Sequence, residues 1–139
     1  MKNKSLVLDT HIWIWSVNGD QNLSPAARER IGKCLGSSAV LIPAISIWEL
    51  TMLWRKGRVQ LTVPVRQWID DALDKSGFCL APLNDAVAIE SALLPGQFHT
   101  DPADCMIVAT ARIEDAVLLT RDARMLDYGK AGYLEVLPA

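Results

Sequence analysis

The chain has few cysteines, no excess of charge of either sign and no long apolar run. Its three cysteines, Cys34, Cys79 and Cys105, form no C-x-x-C pair, so neither a zinc knuckle nor a disulfide framework is indicated. No apolar stretch approaches the roughly 20 residues that span a bilayer, and the apolar segment before Asp9 is too short for a signal peptide. We therefore expect a cytoplasmic protein that does not associate with membranes.

Charge and loop composition exclude further classes. The 16 acidic residues slightly outnumber the 14 basic ones, which taken alone argues against a nucleic-acid partner. The sequence contains neither a P-loop nor a G-x-G-x-x-G motif, so nucleotide binding through these loops is disfavoured. What is present is ordinary globular composition, since 50% of the residues are hydrophobic and 22% are charged. The length predicts one domain over residues 1–139.

Strand and helix patterns alternate along the chain. Short apolar runs predict strands at 5–8, 39–42, 78–80 and 116–120, with 134–137 as a candidate fifth. Capping residues and periodic apolar positions predict helices at 26–35, 46–56, 64–75, 84–94 and 101–114. This alternation indicates an α/β domain with a mainly parallel sheet whose faces are both covered by helices.

Four acidic residues stand where such a sheet gathers ligands. Asp9 directly follows the first strand, and Asp122 comes two residues after the strand that ends at Thr120. Glu49 and Asp104 each lie about one turn into a predicted helix. Because ligands bind outside the carboxyl ends of parallel strands, Asp9 and Asp122 face one crevice if their strands are neighbours. Glu49 is placed to lean over the same edge, and Asp104 joins it if its helix begins there.

Helix capping is the alternative explanation for two of these acids. Ser46-x-x-Glu49 matches a capping box, and Asp101-x-x-Asp104 resembles one with Asp101 as the N-cap. An acid in the first turn also suits the helix dipole. Asp9 is harder to explain in this way, since a lone carboxylate at the end of a buried strand is costly to desolvate.

Carboxylates that share a crevice repel one another and raise one another's pKa. A divalent cation relieves that repulsion, and oxygen-rich carboxylate sites suit Mg²⁺ or Mn²⁺. Such ions activate water and stabilise the charge that develops when a phosphodiester is cleaved. The residues alone therefore suggest metal-assisted phosphodiester hydrolysis.

Four segments in order carry a family resemblance: Leu8-Asp9-Thr10-His11, Ser46 to Leu50, Leu94 to Ala111, and Leu119-Thr120-Arg121-Asp122. With them the chain resembles the PIN-domain ribonucleases, in particular the VapC-like toxins of bacterial type II toxin–antitoxin pairs. The resemblance extends over about residues 5–137. It implies a three-layer α/β/α sandwich with a parallel sheet of four or five strands.

The resemblance also implies an activity and partners. The activity is that of a magnesium-dependent endoribonuclease in which Asp9, Asp104 and Asp122 bind metal, while Glu49 binds metal or orients the attacking water. The implied partners are an RNA substrate, a VapB-like antitoxin and a second copy of the chain. With four acids assigned to a cation site, the rest of the chain is slightly positive, which weakens the objection to an RNA partner.

Other residues are assigned supporting roles, some by the resemblance and some by their position beside the acids or in a basic cluster. Thr10 and Thr120 are expected to hydrogen-bond to the acids. Six residues are candidates for contacts with substrate or antitoxin: His99, Arg55, Lys56, Arg58, Arg121 and Arg124. For the three basic residues at 55–58, the alternative is a favourable position at a helix C-terminus. Where the family usually has a basic residue, directly after Asp104, this chain has Cys105, which puts contacts to substrate or partner in question.

Tryptophan is abundant, with five residues in the chain. Core packing is one explanation. The other is a dimer interface around residues 12–15 and 47–54, since aromatic residues are enriched at interfaces.

Two other functions stay open. One is a PIN-like interaction module that retains the fold without turnover. The other is a metal-dependent phosphatase of the haloacid dehalogenase type, which requires a second acid two residues after Asp9, where this chain has His11.

Overall fold

The computed structural model describes residues 4–74 and 77–139. In this part of the chain the elements, in order, are β1 (Leu6–Leu8), α1 (Thr10–Asn18), α2 (Pro25–Ser37), β2 (Val40–Pro43), α3 (Ala44–Arg55), α4 (Val65–Leu73), β3 (Phe78–Ala81), α5 (Asp85–Ala92), α6 (Pro102–Ile113), β4 (Val117–Thr120), α7 (Ala123–Lys130) and β5 (Val136–Pro138). None of the described helices is long and apolar enough to cross a membrane.

The five strands form one parallel sheet in the order β3-β2-β1-β4-β5. Leu6 of β1 lies opposite Val40 on one side and Val117 on the other. The chain adds strands in one direction from β1 to β3 and then continues on the opposite side of β1 with β4. Ligands of open α/β sheets bind at such a reversal of strand order, and here it falls between β1 and β4.

A separate apolar core covers each face of the sheet. Leu8 and Leu119 point to one face, where Trp13 of α1 and Ile31 of α2 pack against them. Neighbouring strand residues such as Leu118 point to the other face and pack against α6 and α7. This follows from the two-residue repeat of side chains along a strand. The predicted three-layer α/β/α arrangement with a parallel sheet is confirmed.

Two helices, α1 and α7, were not predicted from the sequence. In α1 the consecutive residues Ile12, Trp13 and Ile14 are all buried, so no polar stripe marks a helical period. Trp13 is 0% exposed, and its ring packs edge-on against Trp68 with 5.2 Å between ring centroids. The expectation of a dimer interface at 12–15 is therefore wrong for these three residues, which belong to the core of their own chain.

Several element boundaries differ from the predictions by one or two residues, and three of them have a clear reason or consequence. Helix α3 begins at Ala44, two residues before the expected start, because Pro43 ends β2 and takes the N-cap position. Strand β5 begins at Val136, and its Pro138 is tolerated because β5 is an edge strand. Helix α4 ends at Leu73. The predicted end of that helix at 75 and the first three residues of the chain lie outside the described residues.

Candidate active site

Hydrogen bonds join the ends of β1 and β4 at the reversal of strand order. The backbone N–H of Asp9 donates to the carbonyl oxygen of Leu119 at 3.1 Å. The hydroxyl of the buried Thr120 donates to Asp9 Oδ2 at 2.8 Å and accepts the backbone N–H of Asp122 at 3.0 Å. A single hydroxyl thus connects the carboxylate of Asp9 with the backbone of Asp122.

Glu49 reaches the same edge from α3 through a buried hydroxyl pair. Thr10 Oγ1 donates to Glu49 Oε1 at 2.6 Å and lies 2.9 Å from Ser46 Oγ. Since α3 begins at Ala44 and its N-cap is Pro43, with no side-chain cap, the capping-box explanation for Ser46 and Glu49 is wrong. Glu49 is instead held towards Asp9 by the side chain that follows Asp9 in the chain.

Asp104 lies in the first turn of α6, where Asp101 forms the cap. Asp101 Oδ1 accepts the backbone N–H of Asp104 at 3.0 Å, which confirms Asp101 as the N-cap. The carboxylate of Asp104 is directed elsewhere, because His99 Nε2 lies 3.0 Å from its Oδ2. The backbone N–H of Asp101 donates to His99 Nδ1 at 3.4 Å. With Nδ1 accepting, a neutral imidazole carries its proton on Nε2, facing Asp104.

Asp122 begins α7, and Arg124 folds back over it. Asp122 Oδ1 accepts the backbone N–H groups of Arg124 at 2.8 Å and Met125 at 3.1 Å. Arg124 Nη2 lies 3.4 Å from Asp122 Oδ2 and 3.9 Å from Asp104 Oδ2. Its Nη1 lies 3.3 Å from His99 Nδ1. One guanidinium therefore spans two of the four predicted site acids.

Three of the four acids have a raised pKa. Burial is the main cause for Asp9 and Glu49, and it outweighs the hydrogen bonds from Thr120 and Thr10, which lower the pKa. Burial, followed by the charges of Asp101 and Asp9, raises the pKa of Asp104 to about 6. Each of these groups feels the negative charge of at least one other, so the acids share one electrostatic environment.

The carboxylate oxygens of this crevice are donors that suit a hard divalent cation, although these side chains are not spaced as in a coordination site. Within residues 4–74 and 77–139, no three histidine, cysteine or acidic side chains are grouped so that they could hold a metal ion. Carboxylate oxygens are nevertheless the donors that Mg²⁺ and Mn²⁺ prefer. The pKa values of Asp9, Glu49 and Asp104 are raised by burial first and by neighbouring acids second, and a bound cation would favour their charged forms.

Several other predicted contact residues lie away from the crevice. Arg55 is the last residue of α3, and the basic residues at 56 and 58 follow it, so Arg55 is about 9 Å along the helix axis from Glu49. Arg121 Nε donates to the carbonyl oxygen of Ala139 at 2.9 Å, and its guanidinium lies 4.9 Å from the centre of a Trp15 ring. Arg121 thus holds the end of β5 rather than facing the acids.

Cys105 stabilises the loop that carries His99. Its thiol donates to the carbonyl oxygen of His99 at 3.2 Å. Burial, with the charges of Asp101 and Asp104, raises the pKa of the thiol and keeps it protonated as a donor. The residue that replaces the family's usual basic side chain therefore orders the loop beside Asp104.

A cavity of about 660 Å³ opens beside the acidic crevice. Its walls are largely apolar, with Leu94, Phe98 and Met106. His99, which contacts Asp104, also lines it. Its volume lies within the usual range of ligand pockets.

Ser46 contributes to the site in a way the sequence did not suggest. It is 0% exposed and contacts Thr10, whereas the sequence pattern favoured an N-cap. The sequence does indicate that Ser46 lies on the same helix face as Glu49, because residues three apart share a face.

Replacing Thr10 with valine should destabilise the protein by about 1–3 kcal/mol. The substitution keeps side-chain volume but leaves Glu49 Oε1 and Ser46 Oγ without their shared partner. Urea unfolding measures the loss. Thr110→Val is the matched control, since Thr110 is equally buried and donates only to the carbonyl oxygen of Met106 in its own helix. Equal losses in the two variants would contradict a special role of Thr10 in holding Glu49.

Comparison with known proteins agrees with this fold. The sequence profile of the PIN domain matches residues 6–131. The chain is 32% identical over 121 residues to Ribonuclease VapC22 of Mycobacterium tuberculosis (strain ATCC 25618 / H37Rv), a match that covers 87% of this chain and 89% of the relative.

Two solved structures share the fold at low sequence identity. One is VapBC2 from Rickettsia felis bound to a DNA fragment from their promoter, with a TM-score of 0.69, 14% identity and coverage of 96% of this chain and 98% of the other. The second is DNA-bound VapBC from Salmonella typhimurium, with a TM-score of 0.66, 19% identity and coverage of 99% and 98%. Together with the profile match and the 32% identical ribonuclease, they lead to one conclusion: the chain belongs to the PIN domain family.

Proposed function

We propose that this protein is a divalent-metal-dependent endoribonuclease that hydrolyses RNA phosphodiester bonds and acts as the toxin of a VapBC-type pair. The observation that carries the proposal is the crevice between β1 and β4, where the Thr120 hydroxyl links the Asp9 carboxylate to the backbone N–H of Asp122. In the same crevice the carboxyl groups of Asp9, Glu49 and Asp104 have raised pKa values. The 32% sequence identity to a ribonuclease, over 87% of the chain, supports RNA as the substrate.

The proposal gives each acid a role. Asp9, Asp104 and Asp122 would hold Mg²⁺ or Mn²⁺, and Glu49 would hold the ion or orient the attacking water. Such an ion supplies an activated water and stabilises the charge on the attacking and leaving oxygens. Thr120 fixes the position of Asp9 relative to Asp122, while Thr10 positions Glu49; these hydroxyls limit the motion of the carboxylates.

His99 and the adjacent cavity are proposed to receive the RNA. The imidazole borders both Asp104 and the cavity of about 660 Å³. The cavity lining, with Phe98 and Met106, suits an unpaired base next to the cleaved phosphate better than it suits a phosphate, since apolar walls favour the flat faces of bases.

A VapB-like antitoxin and a second copy of the chain complete the proposal. The structural neighbours are described as VapBC complexes, which supports an antitoxin partner. Helix α3 exposes Trp48, with 56% of its surface accessible, and also Trp54. Exposed indoles are enriched at protein interfaces, so the 47–54 segment stays our candidate for one of these contacts.

The first test is RNA cleavage by the purified protein. We expect cleavage of cellular RNA with Mg²⁺ or Mn²⁺ and none with EDTA, because the crowded carboxylates cannot activate water without a cation. In cells, expression should arrest growth, and co-expression of a cognate VapB-like antitoxin should restore it. An interaction module without turnover would leave RNA intact under every metal condition, and that result would refute the proposed activity.

A further inference from the structure

We propose that Arg124 is an internal counter-ion of the acidic crevice, which a divalent cation displaces when it binds. The inference rests on the proposed metal-dependent function and adds a regulatory element to it. Its basis is the position of Arg124 Nη2, which approaches Oδ2 of Asp122 at 3.4 Å and Oδ2 of Asp104 at 3.9 Å. In the absence of metal, one guanidinium thus partly neutralises two carboxylates that otherwise repel.

The contacts of Arg124 are long enough to be exchanged. Charge-assisted hydrogen bonds between nitrogen and a carboxylate are usually about 2.7–2.9 Å long, and both of these distances exceed that range. The Arg124 side chain is 61% exposed, whereas those of Asp104 and Asp122 are only 18% and 24% exposed. Exposed ion pairs contribute little stability, so water can replace the guanidinium at small cost.

A cation and the guanidinium cannot share this position. Both would be drawn to the same pair of oxygens, the two Oδ2 atoms, and two positive charges a few ångströms apart repel. The backbone of Arg124 is fixed at the start of α7 through Asp122 Oδ1, so only the side chain has to move. Its Nη2 approaches both oxygens while its Nη1 lies near His99 Nδ1, a planar arrangement that a lysine ammonium does not match.

Manganese binding without RNA tests this directly. Titration of the purified chain with Mn²⁺, followed by the EPR signal of the free ion, gives the dissociation constant independently of cleavage. Arg124→Gln should bind Mn²⁺ about three- to tenfold more tightly than the wild type, because the competing charge is gone. Arg66→Gln is the matched control, since Arg66 pairs with Asp70 on α4 at 3.2 Å and the net charge changes equally. Its affinity should stay within about twofold of the wild type.

A second readout follows the side chain itself. In a ¹⁵N spectrum of the arginine Nε–H groups, diamagnetic Mg²⁺ should shift the Arg124 signal and leave the Arg66 signal in place. Arg124→Lys should bind Mn²⁺ with an affinity between those of wild type and Arg124→Gln, because it keeps the positive charge and loses the planar guanidinium.

The outcomes separate this inference from the function on which it rests. Equal Mn²⁺ affinity of wild type and Arg124→Gln, with metal-dependent cleavage intact, would overturn the counter-ion role alone. An equal gain in Arg66→Gln would also overturn it, since net charge would then explain the effect. Absence of Mn²⁺ binding in every variant would overturn both the counter-ion role and the proposed metal dependence.

Discussion

Asp9→Asn is expected to lower the rate of RNA cleavage by at least about a hundredfold while the protein remains folded. Asparagine keeps the size of the side chain and an oxygen to accept the backbone N–H of Thr10. It removes the charge nearest the junction of β1 and β4, where the proposed cation would bind. The measurement is the initial rate of cleavage of a defined RNA in Mg²⁺ or Mn²⁺, with circular dichroism to verify the fold.

Asp71→Asn is a suitable control for this substitution. Asp71 is exposed on α4, so the same chemical change there should leave the rate within about twofold of the wild type. Growth should be arrested by wild type and Asp71→Asn and not by Asp9→Asn. Cleavage at the wild-type rate by Asp9→Asn would show that another group supports the reaction.

The part of the site that the sequence predicts depends on local pattern. A short buried run followed by an acid places Asp9 at a strand end, and the same logic places Asp122. The sequence leaves open whether the two strands are neighbours. The sheet order supplies that fact, because β1 pairs directly with β4.

The rest of the site depends on contacts between distant segments. Asp104 meets Arg124 across 20 positions of sequence, and Thr10 meets Glu49 across 39. A capping box fits Ser46 and Glu49 equally well on paper, and only the earlier start of α3 at Ala44 excludes it. Patterns of residue type describe the local chain, whereas these contacts depend on how the helices pack on the sheet.

The net charge of −2 for the whole chain does not describe the local charge at the crevice. Acidic residues are concentrated at the β1–β4 crevice, and one basic residue, Arg124, reaches into it from α7. The average over the chain conceals both features. An RNA partner therefore has to be judged from the local field around the crevice rather than from the isoelectric point.

Asp104→Asn should raise the free energy of unfolding in the presence of chelator and lower it in saturating Mg²⁺. The pKa of Asp104 is raised from 3.8 to about 6, so the folded state favours the protonated form. The associated stability is complete below pH 3.8 and is lost as the pH rises through about 6. Above pH 7 the charged carboxylate costs at most about 3 kcal/mol, which solvent around this partly exposed group reduces to about 1 kcal/mol.

The pH and metal dependence distinguish this effect from helix capping. The advantage of Asp104→Asn in EDTA should grow from pH 4 to 6 and stay constant above about pH 7, because asparagine does not titrate. When Mg²⁺ is present at a hundred times its dissociation constant, the free energy of unfolding of the wild type should rise by about 2.7 kcal/mol. The variant should gain less, so in Mg²⁺ the wild type becomes the more stable of the two.

Asp85→Asn provides the control, since Asp85 is an exposed first-turn acid of α5 outside the crevice. Removing the charge of Asp85 should lower the free energy of unfolding by about 0.3–1 kcal/mol through the helix dipole, with or without Mg²⁺. If Asp104→Asn behaves like Asp85→Asn in EDTA, with a lower melting temperature than wild type at pH 7.5, the first-turn role dominates. A destabilising charge on Asp104 in the metal-free crevice would then be ruled out, and with it the electrostatic argument for a cation between β1 and β4.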